Sequence, residues 1–327
     1  MGSHNHSNDL GGFTQPDDGQ PPNGAPEAPA DTTQPVEATL PTVSTDAERR
    51  QSALSDLNLI VSAISENRLR RYRMRVDKGA WEPALARYLW NIEIARAMIP
   101  VLHAAEVSLR NHIFDTVGAV LTAEVSTGRN ALGCWLDCAG LLTEKEEDKV
   151  NQAKADYLRE QLRKSKQFRK PMTAGHLVAA LHFGFWSRLL DGDYANWREP
   201  RRAFWNNEAF KAAAFPQYLG GAGNHRDAIH ERFVSIKELR NRVFHHERFY
   251  HSFSIADYDQ IIEAIRWIHP SVATALEKAD RPRLISLLEN GYQALLPRLL
   301  SHFDIHRPSE LDTINSKKTT EAPQAAN

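Results

Sequence analysis

ARYLWNIEIARAMIPVLHAAEVSLRNHI, residues 86–113, is the stretch that decides the fold class. Together with Leu85, the residues Tyr88, Ile92, Ala95, Ile99, Leu102, Leu109 and Ile113 recur every three or four positions. That period lines them along one side of an α-helix and predicts that this side packs inward. Pro100 interrupts the run and predicts a kink or short break. Glu106 occupies one position of the same stripe, and an acid placed there needs a charged or hydrogen-bonding partner. Arg110, four residues on, is the local candidate, and Arg240 the distant one. As a partner of Arg240, Glu106 would support a site; as a plain salt bridge it would only align helices.

Outward from this stretch the punctuation stays helical. Thr143 with Glu146 has capping-box spacing before a charged helix over roughly 144–165. Thr173 precedes an apolar run from Leu177 to Leu190 that stops at Asp191-Gly192. Ile229, Phe233, Ile236, Leu239 and Val243 form another stripe, and helices are expected to begin near Ser254, Ser271 and Pro282. No Asn-Gly or Asp-Gly hairpin lies between alternating strands, and there is no internal repeat. The expected fold is all-α.

Composition sets the limits of the folded mass. The first 45 residues hold seven of the 17 prolines, five glycines, and no Trp or Tyr. Such a segment buries too little apolar surface to offset its ordering entropy, so residues 1–45 are expected to be a disordered leader. Residues 307–327 are expected to be a disordered tail, leaving 46–306 as one helical domain. Residues 1–48 carry eight acids and no Lys or Arg, leaving 40 basic against 33 acidic residues in 49–327, a net of +7. A basic body behind an acidic leader suits a polyanionic partner. The chain lacks an 18-residue apolar run and a signal-like start, which predicts no membrane span and a cytoplasmic protein. Its two cysteines, Cys134 and Cys138, are too few for a disulfide framework and have no further ligands for zinc, so they read as two small buried side chains on a helix.

The chemistry concentrates in Leu239-Arg240-Asn241-Arg242-Val243-Phe244-His245-His246-Glu247-Arg248. Cleavage of RNA by its own 2′-hydroxyl needs a group to take the 2′ proton, one to protonate the leaving 5′ oxygen, and a fixed cation for the charge building on phosphorus. Histidine serves either proton role near neutral pH, and arginine offers a planar fork matched to phosphate. On an ideal helix Asn241 and His245 lie roughly 40° apart, whereas Arg240 is about 140° from His245. One copy therefore closes both groups around one phosphate with difficulty; a local distortion, the reach of the Arg side chain or a second copy would solve it, and the second copy is favoured. By residue type alone, the string serves equally as a basic helix end whose histidines cap carbonyls.

Arg240-Asn241-x-x-x-His245 resembles the Arg-x(4–6)-His signature of the HEPN superfamily of ribonucleases. The longer LRNRVFHHERF is similar to that of its Abi-like branch, the abortive-infection proteins related to AbiD and AbiF. Residues 86–113, with Tyr88-x-x-Asn91 and a Glu-Val pair, are similar to that branch's N-terminal helix pair. LHFGFWSRLL, residues 181–190, is similar to its Phe-Gly-x-Trp segment. The resemblance spans about Ser52 to Tyr250. It implies a HEPN-like helical bundle with additional helices, a homodimer whose paired helices build the site, and metal-independent endoribonuclease activity leaving a 2′,3′-cyclic phosphate. It further implies a role in anti-phage defence, or as a toxin restrained by a small-RNA or protein antitoxin. Arg240, Asn241 and His245 match the signature as catalytic residues, with His246, Glu106 and Arg110 as auxiliary ones. No cofactor or metal is expected.

Two basic clusters complete the reading. Arg68, Arg70, Arg71, Arg73 and Arg75 flank Tyr72, and Arg159, Arg163, Lys164, Lys166, Arg169 and Lys170 flank Phe168. Arg68, Arg70, Arg71, Arg73, Arg75, Arg163, Lys164 and Arg242 are the candidate RNA contacts, with Tyr72 or Phe168 to stack a base. The ordinary alternative is a solvated helix face. LGGAGNHRD, residues 219–227, lacks a Gly-Lys-Ser/Thr ending and reads as a loop before the catalytic helix. His182 reads as a core histidine, and Trp81, Trp90, Trp186, Trp197 and Trp205 as anchors. The rival function is a helical RNA- or protein-binding module that does not cut.

Overall fold

A computed structural model describes residues 46–121, 132–196, 198, 202–220 and 225–302. The regions expected to be the leader and the tail, together with Trp197, lie outside the described residues. Among the described residues there is no strand, so the all-α expectation holds. In chain order the helices are α1 (Asp46–Ile64), α2 (Glu66–Arg70), α3 (Glu82–Val120), α4 (Glu144–Arg163), α5 (Ala174–Ala180), α6 (Phe183–Arg188), α7 (Glu208–Ala214), α8 (His225–Phe244), α9 (Ile255–Arg266), α10 (Pro270–Asn290) and α11 (Leu296–His302). Short 3₁₀ turns link several of them.

The organising element is α3. It is 39 residues long and packs against α5 through α11. Ile94, Met98, Val101, Leu102, Ala105, Leu109, Ile113 and Val117 are buried along it. At about 1.5–3 kcal/mol for each large apolar side chain, this one surface outweighs the loss of a backbone bond at Pro100. The helix accordingly runs through Pro100 without the expected break, because that residue lies on the exposed side while Met98, Val101 and Leu102 stay fully covered. Pro282, also exposed, is likewise carried inside α10, so the two helices expected near Ser271 and Pro282 are one. The stripe needs a second correction. Ile92 and Ile99 are 40% and 45% exposed. Several neighbours cover α3 from different sides, so its buried face is broad and centred away from the face that spacing alone selects.

Local chemistry sets the remaining ends. Thr173 caps α5 in a reciprocal box with His176, and Ser254 caps α9 with Asp257. Thr143 precedes α4 as expected, but its hydroxyl donates to the Glu146 carboxylate instead of capping the backbone. The Leu177–Leu190 run splits at Leu181-His182 into α5 and α6. His182 is exposed at the start of α6, which corrects its assignment to the core. Cys134 and Cys138 are buried on either side of the 3₁₀ turn Trp135–Asp137. No described helix is long and apolar enough to cross a membrane.

Candidate active site at the end of helix α8

The stripe expected on α8 is present, with Ile229, Phe233, Ile236 and Val243 buried and Leu239 packed beside them. This burial fixes the helix's rotation and with it the direction of every polar residue of the Arg240–Arg248 string. Arg240 turns towards α3. Its Nε lies 3.4 Å from Glu106 Oε2, with the two side chains 27% and 19% exposed. That Nε nonetheless has no aligned acceptor, so the contact is an attraction of charges without a directed hydrogen bond. Arg240 Nη1 donates weakly to Asn241 Oδ1 at 3.4 Å, and the guanidinium covers the Phe244 ring at 4.5 Å.

Glu106 joins the three similar stretches. Its Oε1 accepts from the backbone N–H of Phe183, the first residue of α6, at 3.1 Å, while Oε2 faces Arg240 on α8. One carboxylate from residues 86–113 thus touches both of the other segments. The ion pair of Glu106 is with Arg240, whereas the Arg110 Nε donates to Asn111 Oδ1 at 3.3 Å.

The end of α8 has the Schellman geometry. The N–H of Glu247 donates to Arg242 O at 2.9 Å and that of His246 to Val243 O at 3.2 Å, while His246 adopts φ 56°. Glycine is the usual occupant of that left-handed position because a Cβ is strained there. In place of the customary apolar contact across the motif, Arg242 Nε lies 3.9 Å from Glu247 Oε2.

Asn91 locks this turn, and its role was not legible beforehand. Its buried amide donates to Glu247 O at 3.1 Å and accepts from Phe249 N at 3.0 Å and Tyr250 N at 3.2 Å. The available signal was an amide on the apolar α3, where an uncharged polar group needs partners. The first basic cluster straps the same turn from outside. Arg68 Nη2 donates to His246 O at 2.8 Å, and Arg248 donates to Arg71 O.

His245 and His246 are exposed on this clamped turn. No contact joins Arg240 or Asn241 to the His245 imidazole, so one chain does not bring the expected catalytic groups together. The basic residues separate by location. Arg68 and Arg71 adjoin the turn, Arg70 pairs with Glu66 at 3.2 Å, Arg73 lies over Trp81 at 4.4 Å, and Arg75 is exposed. Arg163 and Lys164 sit at the end of α4, with Lys164 held by Glu160 at 2.8 Å. Among the described residues, no hydrogen bond or ion pair ties that second cluster to the turn after α8. Tyr72 cannot stack a base: it is buried, edge-on to Tyr88 and stacked on Tyr250. Phe168 is 64% exposed. Within the glycine-rich stretch, residues 221–224 lie outside the described residues, and His225–Asp227 form the first turn of α8.

Among the described residues, no group of three or more His, Cys, Asp or Glu side chains is placed to hold a metal ion. No family model, no curated protein and no solved structure matches this chain.

Proposed function

We propose that the protein is a metal-independent endoribonuclease of the HEPN type, with His245 as proton-transfer group and Arg240 as the cation for the developing phosphorane. In this reaction the substrate 2′-hydroxyl attacks the adjacent phosphorus as its proton passes to a base. The P–O5′ bond breaks, and the 5′ oxygen takes a proton from an acid. The products are a 2′,3′-cyclic phosphate and a 5′-hydroxyl end, with nothing oxidised or reduced. One His245 per chain serves one of the two transfers, so the reading includes a homodimer in which two turns flank one phosphate. Exposed Ile92, Ile99 and Phe244 favour such pairing. On α3, Ile92, Ile99, His103 and Glu106 fall within about 60° of one another. Abortive infection or a toxin–antitoxin pair is the setting this reading carries, in the cytoplasm of a bacterium.

The observation that carries the proposal is the tie at Glu106, which places a guanidinium on the helix that ends in an exposed histidine at a turn whose backbone is clamped. Neither feature adds to a core. Incubation of the full chain with total RNA in EDTA tests it. Wild type yields fragments with cyclic phosphate ends, whereas His245→Ala and Arg240→Ala each lose at least about a hundredfold, the range of a lost general acid–base or charge-stabilising group. Fragments that persist in H245A overturn the assignment. Tight RNA binding without cleavage in wild type favours the binding-module reading.

A further inference from the structure

The face of α8 opposite Glu106 carries a second collection of cations. Arg242 lies about 160° from Arg240 and about 60° from His245 on an ideal helix, so it shares the exposed side of the last turn with His245. Past His246 the chain doubles back. A turn closed by Ser252 N donating to Phe249 O at 3.0 Å returns it along α8, and Arg242 Nη2 donates to Ser252 Oγ at 3.1 Å. Arg248 lies between these points, anchored on Arg71 O, and His251 is exposed at the crest of the returning turn beside the Tyr250 ring. Asn91 holds the segment from its buried side. Two guanidinium groups and an imidazole are therefore gathered on a backbone that cannot spread to separate them. Glu247 is exposed 3.9 Å from Arg242, and Glu238 and Asp257 line the same cleft as Arg242 and Ser252.

We propose that Arg242, Arg248 and His251 form an anion subsite that takes a phosphodiester of the RNA strand next to the one attacked at His245. The assignment rests on the ribonuclease reading for the identity of the strand, but the phosphate chemistry stands on the cluster itself. The positive charges of Arg248 and Arg242 around His251 lower the cost of bringing in an anion, and the two forks supply directed donors. His251 reports the unrelieved field: slight burial, then the charges of Arg248 and Arg242, hold its imidazole below the usual histidine range. A bound phosphate would reverse that balance.

The test follows the histidine rings of the full chain by NMR across a pH titration, with inorganic phosphate or with chloride at equal ionic strength. Phosphate raises the His251 midpoint by about half a unit or more, an effect expected of a close opposite charge, and chloride does not. Arg242→Gln, whose side-chain contacts are with exposed Ser252 and Glu247, raises the midpoint without phosphate and blunts the further rise. A midpoint that phosphate leaves in place, or moves equally in R242Q, overturns the subsite. A second arm uses a strand made uncleavable by a 2′-deoxy nucleotide. In R242Q the slope of log affinity against log salt falls by about 0.7, the value for one phosphate contact on a single strand. An unchanged slope overturns the RNA assignment. The two readings fail separately. His245-dependent cleavage with an unresponsive His251 removes the subsite alone, and a phosphate-responsive His251 without cleavage removes the ribonuclease reading alone.

Discussion

Glu106 faces a guanidinium with one carboxylate oxygen and a backbone N–H with the other, so its two functions can be separated by substitution. Glu106→Gln keeps an acceptor for Phe183 N and removes the charge that orients Arg240. Glu106→Ala removes both and leaves the start of α6 without its acceptor, at about 1–3 kcal/mol for an unsatisfied group. If Glu106 positions Arg240, E106Q retains most of the stability measured by urea unfolding but loses up to about a hundredfold in cleavage rate, the scale of a misplaced catalytic group. KM should change little. Equal losses of stability in the two variants with cleavage intact would make Glu106 a helix-aligning residue only. Arg240 itself is held without a directed bond at Nε, a buried atom that faces the Glu106 carboxylate.

Helix α8 acts as an element because three other parts of the chain clamp its end. Asn91 of α3 reaches Glu247, Phe249 and Tyr250, Arg68 of α2 reaches His246, and Arg71 just after α2 meets Arg248. Removing the amide strands two backbone N–H groups, that of Phe249 belonging to a fully covered residue. At about 1–3 kcal/mol for each group left unpaired, Asn91→Ala is expected to cost about 3 kcal/mol in urea unfolding. Amide exchange at 245–250 should accelerate more than at the centre of α3. Uniform acceleration along both elements would show that Asn91 stabilises the core generally and does not lock this turn. The same clamp explains how His246 tolerates a conformation suited to glycine: surrounding bonds over-determine it.

At the scale of the whole molecule, the separation of Arg240 from the exposed His245 makes pairing of chains the decisive question. Sedimentation at micromolar concentration should give a dimer. Phe244→Glu, placing a charge on a residue 44% exposed beside Arg240, should shift it towards monomer and reduce cleavage in parallel. A monomeric wild type with full activity would rule out a shared site. The all-α class was legible because apolar residues recurred at helical spacing and turn and cap residues fell between the runs. The charge and proton-binding groups of Arg240-Asn241-x-x-x-His245 were legible because residue types disclose them without coordinates. Which neighbours cover α3 was not: Ile92 and Ile99 had the right spacing and lie exposed, Tyr72 had the right ring and is buried, and Pro100 had the right disruptive character and was overridden. Periodicity specifies a direction around a helix axis, whereas burial depends on surfaces brought from distant parts of the chain. By itself, the sequence determined that this protein is helical and carries an arginine–histidine string. Only the tertiary structure decided that Glu106 faces Arg240 and that Asn91 locks the turn, because both contacts depend on how separate helices cross.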